Sequence, residues 1–190
     1  MAIDNKLSWS PHINRLCKSY RKKLGALRRM PCLPPKVLKE IYFKTVVPGV
    51  TYCIPVWGGC TALLFNKLEE IHTKAARLIH DLPCDWDNTY ILQKVNWLPL
   101  SYMYKKAILK HVHQAFYVAA PTQITELFSV KATKYDSWRS KQLDRPKKEI
   151  GKLSLRHRGT MIWNSIPGSV KYYDNVTSFK KLSKAALQIY

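Results

Sequence analysis

The sequence predicts a mainly α-helical protein: a helical bundle, a basic loop or arm, and a C-terminal helical segment. Three observations support this prediction. Apolar residues recur at helical spacing in several segments, strand-like alternation is scarce, and prolines stand where the helical patterns stop. With 46% hydrophobic residues in 190, the chain has enough apolar surface to bury a core.

The first predicted helix has the clearest signals. Ser10 is a suitable N-cap, and Pro11 suits the first helical position, where its missing N–H costs nothing. Pro31 and the Pro34–Pro35 pair end the pattern. A stripe about 100° wide is apolar and comprises Ile13, Leu16, Cys17, Tyr20, Leu24 and Leu27. The opposite side is basic and comprises Arg15, Lys18, Lys22 and Arg29.

Two further helices follow in the first half of the chain. The second is predicted over Lys36–Val47, with Pro48 ending or kinking it. Residues Thr51–Trp57 are predicted to be extended or irregular and buried. A third helix is predicted from Thr61 to Asp81, closed by Pro83.

The second half is predicted to hold a short helix near Thr89–Val95, a longer one near Tyr102–Val118 and a turn at Ala120–Pro121. Residues 131–158 carry ten basic residues with little periodicity and are interpreted as a surface loop or arm. Order is expected to return at Met161–Pro167, before a last helix starting at residue 177 or 178. Three tryptophans in apolar or turn contexts are interpreted as core anchors: Trp57, Trp97 and Trp163.

Charge is the most lopsided feature of the composition. Thirty-two Lys and Arg against twelve Asp and Glu give a formal net charge of +20. The basic residues concentrate in residues 1–44 and 131–190, whereas residues 45–100 are nearly balanced. This segregation indicates an apolar scaffold with two positive surfaces and favours a polyanionic partner such as RNA or DNA.

Cysteine usage and hydropathy favour an intracellular protein, in the nucleus or cytoplasm. The five cysteines are an odd set without a C-x-x-C pair, and the first ten residues contain no apolar signal core, so secretion is not expected. Residues Thr45–Asn66 carry no charge and are long enough to span a bilayer. Pro48, Gly49 and Pro55 would interrupt a lipid-exposed helix there, so a buried helix end and turn is preferred and no membrane contact is predicted.

The residue types needed for catalysis or metal binding do not cluster. Two-metal catalysis needs clustered carboxylates, and the nearest candidates, Asp81, Asp85 and Asp87, are interpreted as a solvated helix end and loop. Cys53 and Cys60 lack the second pair that structural zinc requires. No phosphate-binding glycine motif occurs. The sequence therefore predicts no catalytic, metal-binding or cofactor-binding residue.

Several short motifs occur in a recognisable order. They are Asp4–Trp9, His12, Leu24–Arg29, Pro48, Tyr52–Cys53 with Trp57–Gly58, Lys74–Ile79, Trp97–Leu100, Trp163–Pro167 and Phe179–Lys180. Their order and spacing over nearly the whole chain resemble the carboxyl-terminal part of the reverse transcriptases of non-LTR (LINE-type, jockey-like) retrotransposons. The tract Tyr135–Arg139 departs from the Tyr-Asn-Thr-Arg that this family often shows.

The resemblance implies a helical thumb in residues 1–95, following a palm, and a C-terminal helical region in residues 96–190 that includes the arm. The family synthesises DNA on an RNA template with Mg²⁺ held by an aromatic-Ala-Asp-Asp turn. This chain contains no Asp-Asp pair, so it is not expected to polymerise alone and needs no cofactor itself. The palm and fingers of the same polyprotein are a further expected partner.

A thumb grips the template–primer duplex through its backbone, and the resemblance assigns that role to the basic side of the first helix. Arg15, Lys18, Lys22 and Arg29 are the predicted contacts to an RNA–DNA or DNA duplex; the competing interpretation is a solvated helix face. In the arm, Tyr135 and Trp138 suggest contacts to single-stranded RNA, or else a loop without a fixed partner. The basic residues predicted to bind there are Arg139, Lys147, Lys148, Arg156 and Arg158. The alternative function is a non-catalytic helical interaction module or a translated retroelement relic with weak unspecific nucleic-acid association.

Overall fold

A computed structural model describes residues 9–117, 121–128, 143, 154–171, 173, 175, 177–179 and 181–183. These residues are mainly helical and none of them lies in a β-strand, which confirms the predicted mainly α fold. The chain forms two compact units, Met1–Met103 and Tyr104–Tyr190. The domain boundary predicted between residues 95 and 96 lies a few residues before this division.

The helices of the first unit are α1 (Ser10–Arg28), α2 (Pro35–Ile41), a π-helical segment (Tyr42–Val46), α3 (Val47–Thr51), α4 (Ile54–Trp57), α5 (Ala62–His80) and α6 (Asn88–Lys94). Of these, α2, the π-helical segment and α3 follow one another without a break, and short connections separate the other helices. The seventh helix, α7 (Leu100–Tyr117), contains the division between the units. The second unit continues with α8 (Thr122–Thr125), α9 (Leu155–Ser165) and α10 (Gly168–Lys171), and the described residues of 177–183 are helical as well.

Helix α1 forms where the sequence predicts it, but its cap differs by one residue. The N-cap position is held by Trp9 in a left-handed conformation (φ 60°), and Ser10 is already the first helical residue. Pro11 is tolerated at the second position because helical N–H groups in the first turn have no intrahelical acceptor. The predicted apolar stripe faces the core: Ile13, Cys17, Tyr20 and Leu27 are buried, and Leu16 and Leu24 are half-buried.

The second helix continues past Pro48, contrary to the prediction that this proline ends or kinks it. In a regular α-helix the Pro48 ring would collide with the carbonyl group of Lys44. The preceding residues instead form a π-helical segment, in which the Val47 N–H donates to the Tyr42 carbonyl oxygen five residues back. This wider turn makes room for the ring, and the chain remains helical to Thr51.

The prediction of an extended or irregular segment at residues 51–57 is wrong for Ile54–Trp57, which forms the short helix α4. Cys53 precedes it with φ 51°, and Pro55 is accommodated in its first turn. Burial is also uneven, because Trp57 is inaccessible whereas Tyr52 is 71% exposed. The Trp57 indole N–H donates to the Tyr52 carbonyl oxygen at 2.8 Å and ties the turn to the core.

Helix α5 packs against α1 and supplies much of the first core. Buried apolar side chains recur along it at helical spacing and include Leu64, Leu68, Ile71, Ala75 and Ile79. The helix ends because Asp81 adopts a left-handed conformation (φ 49°), with the Leu82 N–H donating to the Arg77 carbonyl oxygen at 3.1 Å. Pro83, which the sequence predicted as the terminator, lies beyond this cap.

The uncharged stretch from Thr45 to Asn66 is divided among the π-helical segment, α3, α4 and the start of α5. Within the described residues, no helix has both the length and the apolar character needed to cross a membrane.

The second unit has its own core. The buried residues that form it are Ile108, Leu109, Val112, Phe128, Leu143, Trp163, Ile166, Val170 and Phe179. Helix α9 packs closely against Phe128 at Gly159, where an added Cβ atom would lie 2.7 Å from the Phe128 ring. The predicted core role of the three tryptophans is confirmed, because Trp57, Trp97 and Trp163 are each at most 4% exposed.

Candidate nucleic-acid interface

The four cations predicted on α1 lie together on its exposed side. Arg15, Lys18 and Lys22 project from consecutive turns, and Arg29 directly follows the last helical residue. From first to last they extend about 21 Å at 1.5 Å per residue. None of the four side chains forms an ion pair or hydrogen bond within the described part of the chain. We call these four residues the α1 basic face.

The sequence around this face is free of negative charge. No Asp or Glu occurs between Asp4 and Glu40, so α1 itself contains no acidic residue. Arg28 and Arg29 stand at the helix C-terminus, where the negative end of the helix dipole favours cations. The neighbouring Lys23 has a partner within the chain, because its ammonium group donates to the Thr45 carbonyl oxygen at 3.2 Å. The four face residues therefore remain available to an external anion.

The buried side of α1 is held by a polar network. The Tyr20 hydroxyl is hydrogen-bonded to the Tyr42 hydroxyl on the π-helical segment, and the Tyr42 hydroxyl lies 2.5 Å from His72 Nδ1 on α5. His72 Nε2 lies 3.1 Å from the Leu98 carbonyl oxygen. Four segments thus meet around one imidazole, which orients α1 relative to the rest of the unit.

The hydrogen-bond directions in this network follow from the Leu98 carbonyl. Since a carbonyl oxygen only accepts, His72 Nε2 carries the proton and Nδ1 accepts from Tyr42. Tyr42 in turn accepts from Tyr20. Burial lowers the pKa of His72 to about 4, consistent with this neutral tautomer, and burial raises the pKa values of Tyr20 and Tyr42.

The Trp97–Leu100 motif anchors the chain against this network. The Trp97 ring stacks on Tyr42 with ring centroids 5.0 Å apart, and it forms a T-shaped pair with Phe43, with ring centroids 4.8 Å apart. One residue earlier, Asn96 adopts φ 54°, which Asn tolerates and which lets the chain leave α6. The motif therefore has a structural role in the first unit.

Glu69 on α5 is half-buried, and its carboxyl group lies at the start of α7. Its Oε1 accepts a hydrogen bond from the Leu100 N–H at 3.1 Å, whereas its Oε2 is buried without a partner among the described residues. Burial raises the pKa of Glu69 to about 7, and the backbone N–H groups of Ser101 and Leu100 oppose that rise. The Glu69 carboxyl group therefore changes between its protonated and ionised forms near neutral pH.

This arrangement predicts a specific pH dependence of stability. The Glu69 pKa is higher in the folded state than its ordinary 4.5, so its contribution to stability is complete below pH 4.5 and is lost as the pH rises through 7. His72 acts oppositely: its contribution is complete above pH 6.5 and is lost as the pH falls through 4. The Glu69→Gln variant lacks the pH-dependent contribution of Glu69 and keeps that of His72.

We therefore expect Glu69→Gln to gain stability relative to the wild type as the pH rises from 5 to 8. Urea unfolding at a series of pH values measures this difference directly. A difference that does not change with pH would contradict the assignment of a neutral-range pKa to Glu69.

A groove lies beside the α1 basic face, between α1 and α5, with a volume of about 770 Å³. The residues lining it are Asn14, Cys17, Lys18 and Arg21 from α1, and Leu63, Asn66, Lys67 and Glu70 from α5. Of these, only Lys18 is among the residues predicted from the sequence. Arg21 and Lys67 were missed because their approach depends on the packing of two helices.

The arm residues have different outcomes. Arg139, Lys147 and Lys148 lie outside the described residues, as do Tyr135 and Trp138. Arg156 and Arg158 belong to α9, so the prediction of a loop up to residue 158 is wrong for them. Ser154 caps this helix by accepting from the His157 N–H at 3.3 Å.

The two α9 arginines also differ from each other. Arg156 is exposed, whereas Arg158 is half-buried and its Nη1 donates to the Tyr104 hydroxyl at 2.9 Å. Nearby, the Asn164 side chain accepts from the Leu143 N–H at 2.9 Å and donates to the Leu143 carbonyl oxygen at 3.0 Å. Leu143 is thereby fixed in the second core.

Among the described residues, the carboxylates that follow α5 cap a helix or are exposed. The Asp87 carboxylate accepts N–H bonds from Thr89 and Tyr90 as the N-cap of α6, and these bonds lower its pKa. No group of three or more His, Cys, Asp or Glu side chains in the described ranges could hold an ion. The Asp81, Asp85 and Asp87 side chains are exposed, as the sequence interpretation expected.

Comparison with known protein families, curated proteins and solved structures finds no match.

Proposed function

We propose that this chain binds the sugar–phosphate backbone of duplex nucleic acid, RNA–DNA or DNA, through the α1 basic face. The observation that carries the proposal is the alignment of Arg15, Lys18, Lys22 and Arg29 on the exposed side of a helix whose other side is fixed in a core. Phosphate contacts of this kind are independent of sequence and make binding salt-dependent.

The resemblance to non-LTR retrotransposon reverse transcriptases supports the same function from a separate direction. In that family the region after the palm is a helical thumb that follows the template–primer duplex. We propose that this chain does the same without polymerising by itself, because the sequence has no Asp-Asp pair to hold catalytic magnesium. A palm and fingers of the same polyprotein would supply the chemistry.

The contacts on the buried side of α1 should keep the α1 basic face rigid. The core-facing side of α1 is tied through Tyr20 to Tyr42 and His72, so the cations on its outer side are held at a constant spacing. A preorganised row loses less conformational freedom on binding than a row on a mobile segment. The arrangement favours affinity for a regular polyanion over a random one.

Salt titration of the full chain tests this function. Four phosphate contacts predict a slope of about −3.6 in log affinity against log salt, because each contact contributes about −0.9. Between 50 and 200 mM salt the affinity for a 20-base-pair duplex should fall by about 10²-fold. A dissociation constant no tighter than the ~10⁻⁴ to 10⁻⁶ M typical of unspecific attachment at physiological salt would favour the alternative of a helical interaction module or retroelement relic.

A further inference from the structure

The two walls of the α1–α5 groove have matching patterns. Residues 14, 17, 18 and 21 of α1 and residues 63, 66, 67 and 70 of α5 follow the same i, i+3, i+4, i+7 spacing, so each set forms one stripe along its helix. Each stripe is about 10.5 Å long at 1.5 Å per residue. The groove between them is therefore short, straight and bounded by rigid elements.

Cations stand on both walls. Lys18 and Arg21 project from α1, and Lys67 projects from α5, while Glu70 is the opposing charge. All four side chains are exposed, and the lining carries a net positive charge. A chain of phosphates lying in the groove would meet a cation on either side, which a flat helix face does not provide.

The remaining lining residues suit a nucleobase better than a bare phosphate. Asn14 and Asn66 present exposed amides on opposite walls, and each amide both donates and accepts hydrogen bonds. Phosphate oxygens only accept, whereas base edges offer donors and acceptors. Leu63, 73% exposed on the rim, adds apolar surface for a base or ribose. Cations, amides and apolar surface together are typical of sites for unpaired nucleotides.

The size of the groove excludes a duplex. A volume of about 770 Å³ lies within the range of small-molecule sites, roughly 300 to 1,000 Å³, and suits two or three nucleotides. A duplex would present its phosphates to the rim while its base edges stayed in its own grooves. The groove amides would then have no ligand.

We propose that the α1–α5 groove binds a short single-stranded segment of nucleic acid, next to the duplex on the α1 basic face. The inference rests on the proposed function, since both sites share Lys18 and the same helix. The two sites together would place the chain at a junction where a duplex passes into a single strand.

The test compares two probes on the full chain: a fluorescein-labelled hexauridylate and a blunt 20-base-pair DNA duplex. Arg21→Gln with Lys67→Gln should weaken hexauridylate binding at least tenfold and duplex binding less than threefold, because those cations line only the groove. Lys36→Gln with Lys110→Gln is the matched control, since both are exposed lysines outside the groove and remove the same charge. The control should change hexauridylate binding less than threefold.

A second variant separates base recognition from charge. Asn14→Ala with Asn66→Ala should weaken hexauridylate binding about fivefold without changing its salt slope, because neutral amides release no counterions. Circular dichroism of each variant should show the helical content of the wild type. Retained helicity assigns the losses to the groove.

The outcomes distinguish the two proposals. Hexauridylate binding that neither groove variant alters overturns the groove proposal and leaves duplex binding by the α1 basic face intact. An equal loss for both probes also overturns it, because the groove would then be an extension of the duplex site. An oligoglutamate peptide that competes as well as hexauridylate would overturn it too, because the groove would then be a general polyanion site. A wild-type chain that binds neither probe overturns the proposed function as well.

Discussion

Replacing Arg15, Lys18, Lys22 and Arg29 together with glutamine should reduce the affinity for duplex nucleic acid by about 10³-fold at 0.1 M salt. The reason is counterion release, because four lost phosphate contacts change the slope of log affinity against log salt by about 3.6. If the variant and the wild type bind equally at 1 M salt, their affinities differ by more than three decades at 0.1 M salt. Fluorescence anisotropy of a labelled 20-base-pair duplex at several salt concentrations measures both the affinity and the slope.

A control with the same charge change shows whether position matters. Four lysines outside α1 serve for this comparison: Lys36, Lys106, Lys110 and Lys181. Their joint replacement by glutamine lowers the net charge equally and should reduce the slope by less than one. Equal losses in the two quadruple variants would mean that net charge alone attracts the duplex, and the α1 basic face would have no special role.

The second large effect concerns the network behind this face. Tyr20→Phe and Tyr42→Phe should each cost about 1 kcal/mol of unfolding free energy, whereas the double variant should cost more than their sum. Either tyrosine alone still supplies a donor to His72 Nδ1, since Tyr20 lies 3.2 Å from that atom and Tyr42 lies 2.5 Å from it. Without both hydroxyls, a buried acceptor loses its partner, which costs about 1 to 3 kcal/mol.

Urea unfolding of the wild type, the two single variants and the double variant completes this cycle. Tyr117→Phe is a useful control, because the Tyr117 hydroxyl donates to the Lys171 carbonyl oxygen in the second unit and has no role in the first. Strictly additive single effects would show that His72 finds another donor. The proposed hydrogen-bond directions would then be wrong.

The sequence predicts those elements whose side chains repeat with a single period. Helices α1 and α5 combine long apolar stripes with proline or loop signals at their ends, so their faces were predictable before the structure. Pro48 illustrates the limit, because a helix breaker acts only if the backbone stays regular, and a π-helical turn removes the clash. Local rules describe the clash but do not reveal which alternative the packing selects.

Only the part of the candidate site that lies on a single helix could be predicted from the sequence. The α1 basic face belongs to one helix and follows from its periodicity. In the α1–α5 groove, Arg21 and Lys67 line opposite walls although they are 46 positions apart in the sequence. In the polar network behind α1, Tyr20 contacts His72, which is 52 positions away. Such pairs arise only from tertiary packing. Arg156 was assigned to the arm because it lies in the first turn of an 11-residue helix that directly follows an aperiodic tract, where the periodicity is too brief to detect.

Protection of individual lysines from acylation tests the central claim most directly. With saturating 20-base-pair duplex at low salt, we expect Lys18 and Lys22 to react with an amine-specific reagent at least tenfold more slowly than in the free chain. Lys36 and Lys110 should react at unchanged rates, since they lie outside α1. Unchanged reactivity of Lys18 and Lys22, with protection of lysines elsewhere, would contradict the account.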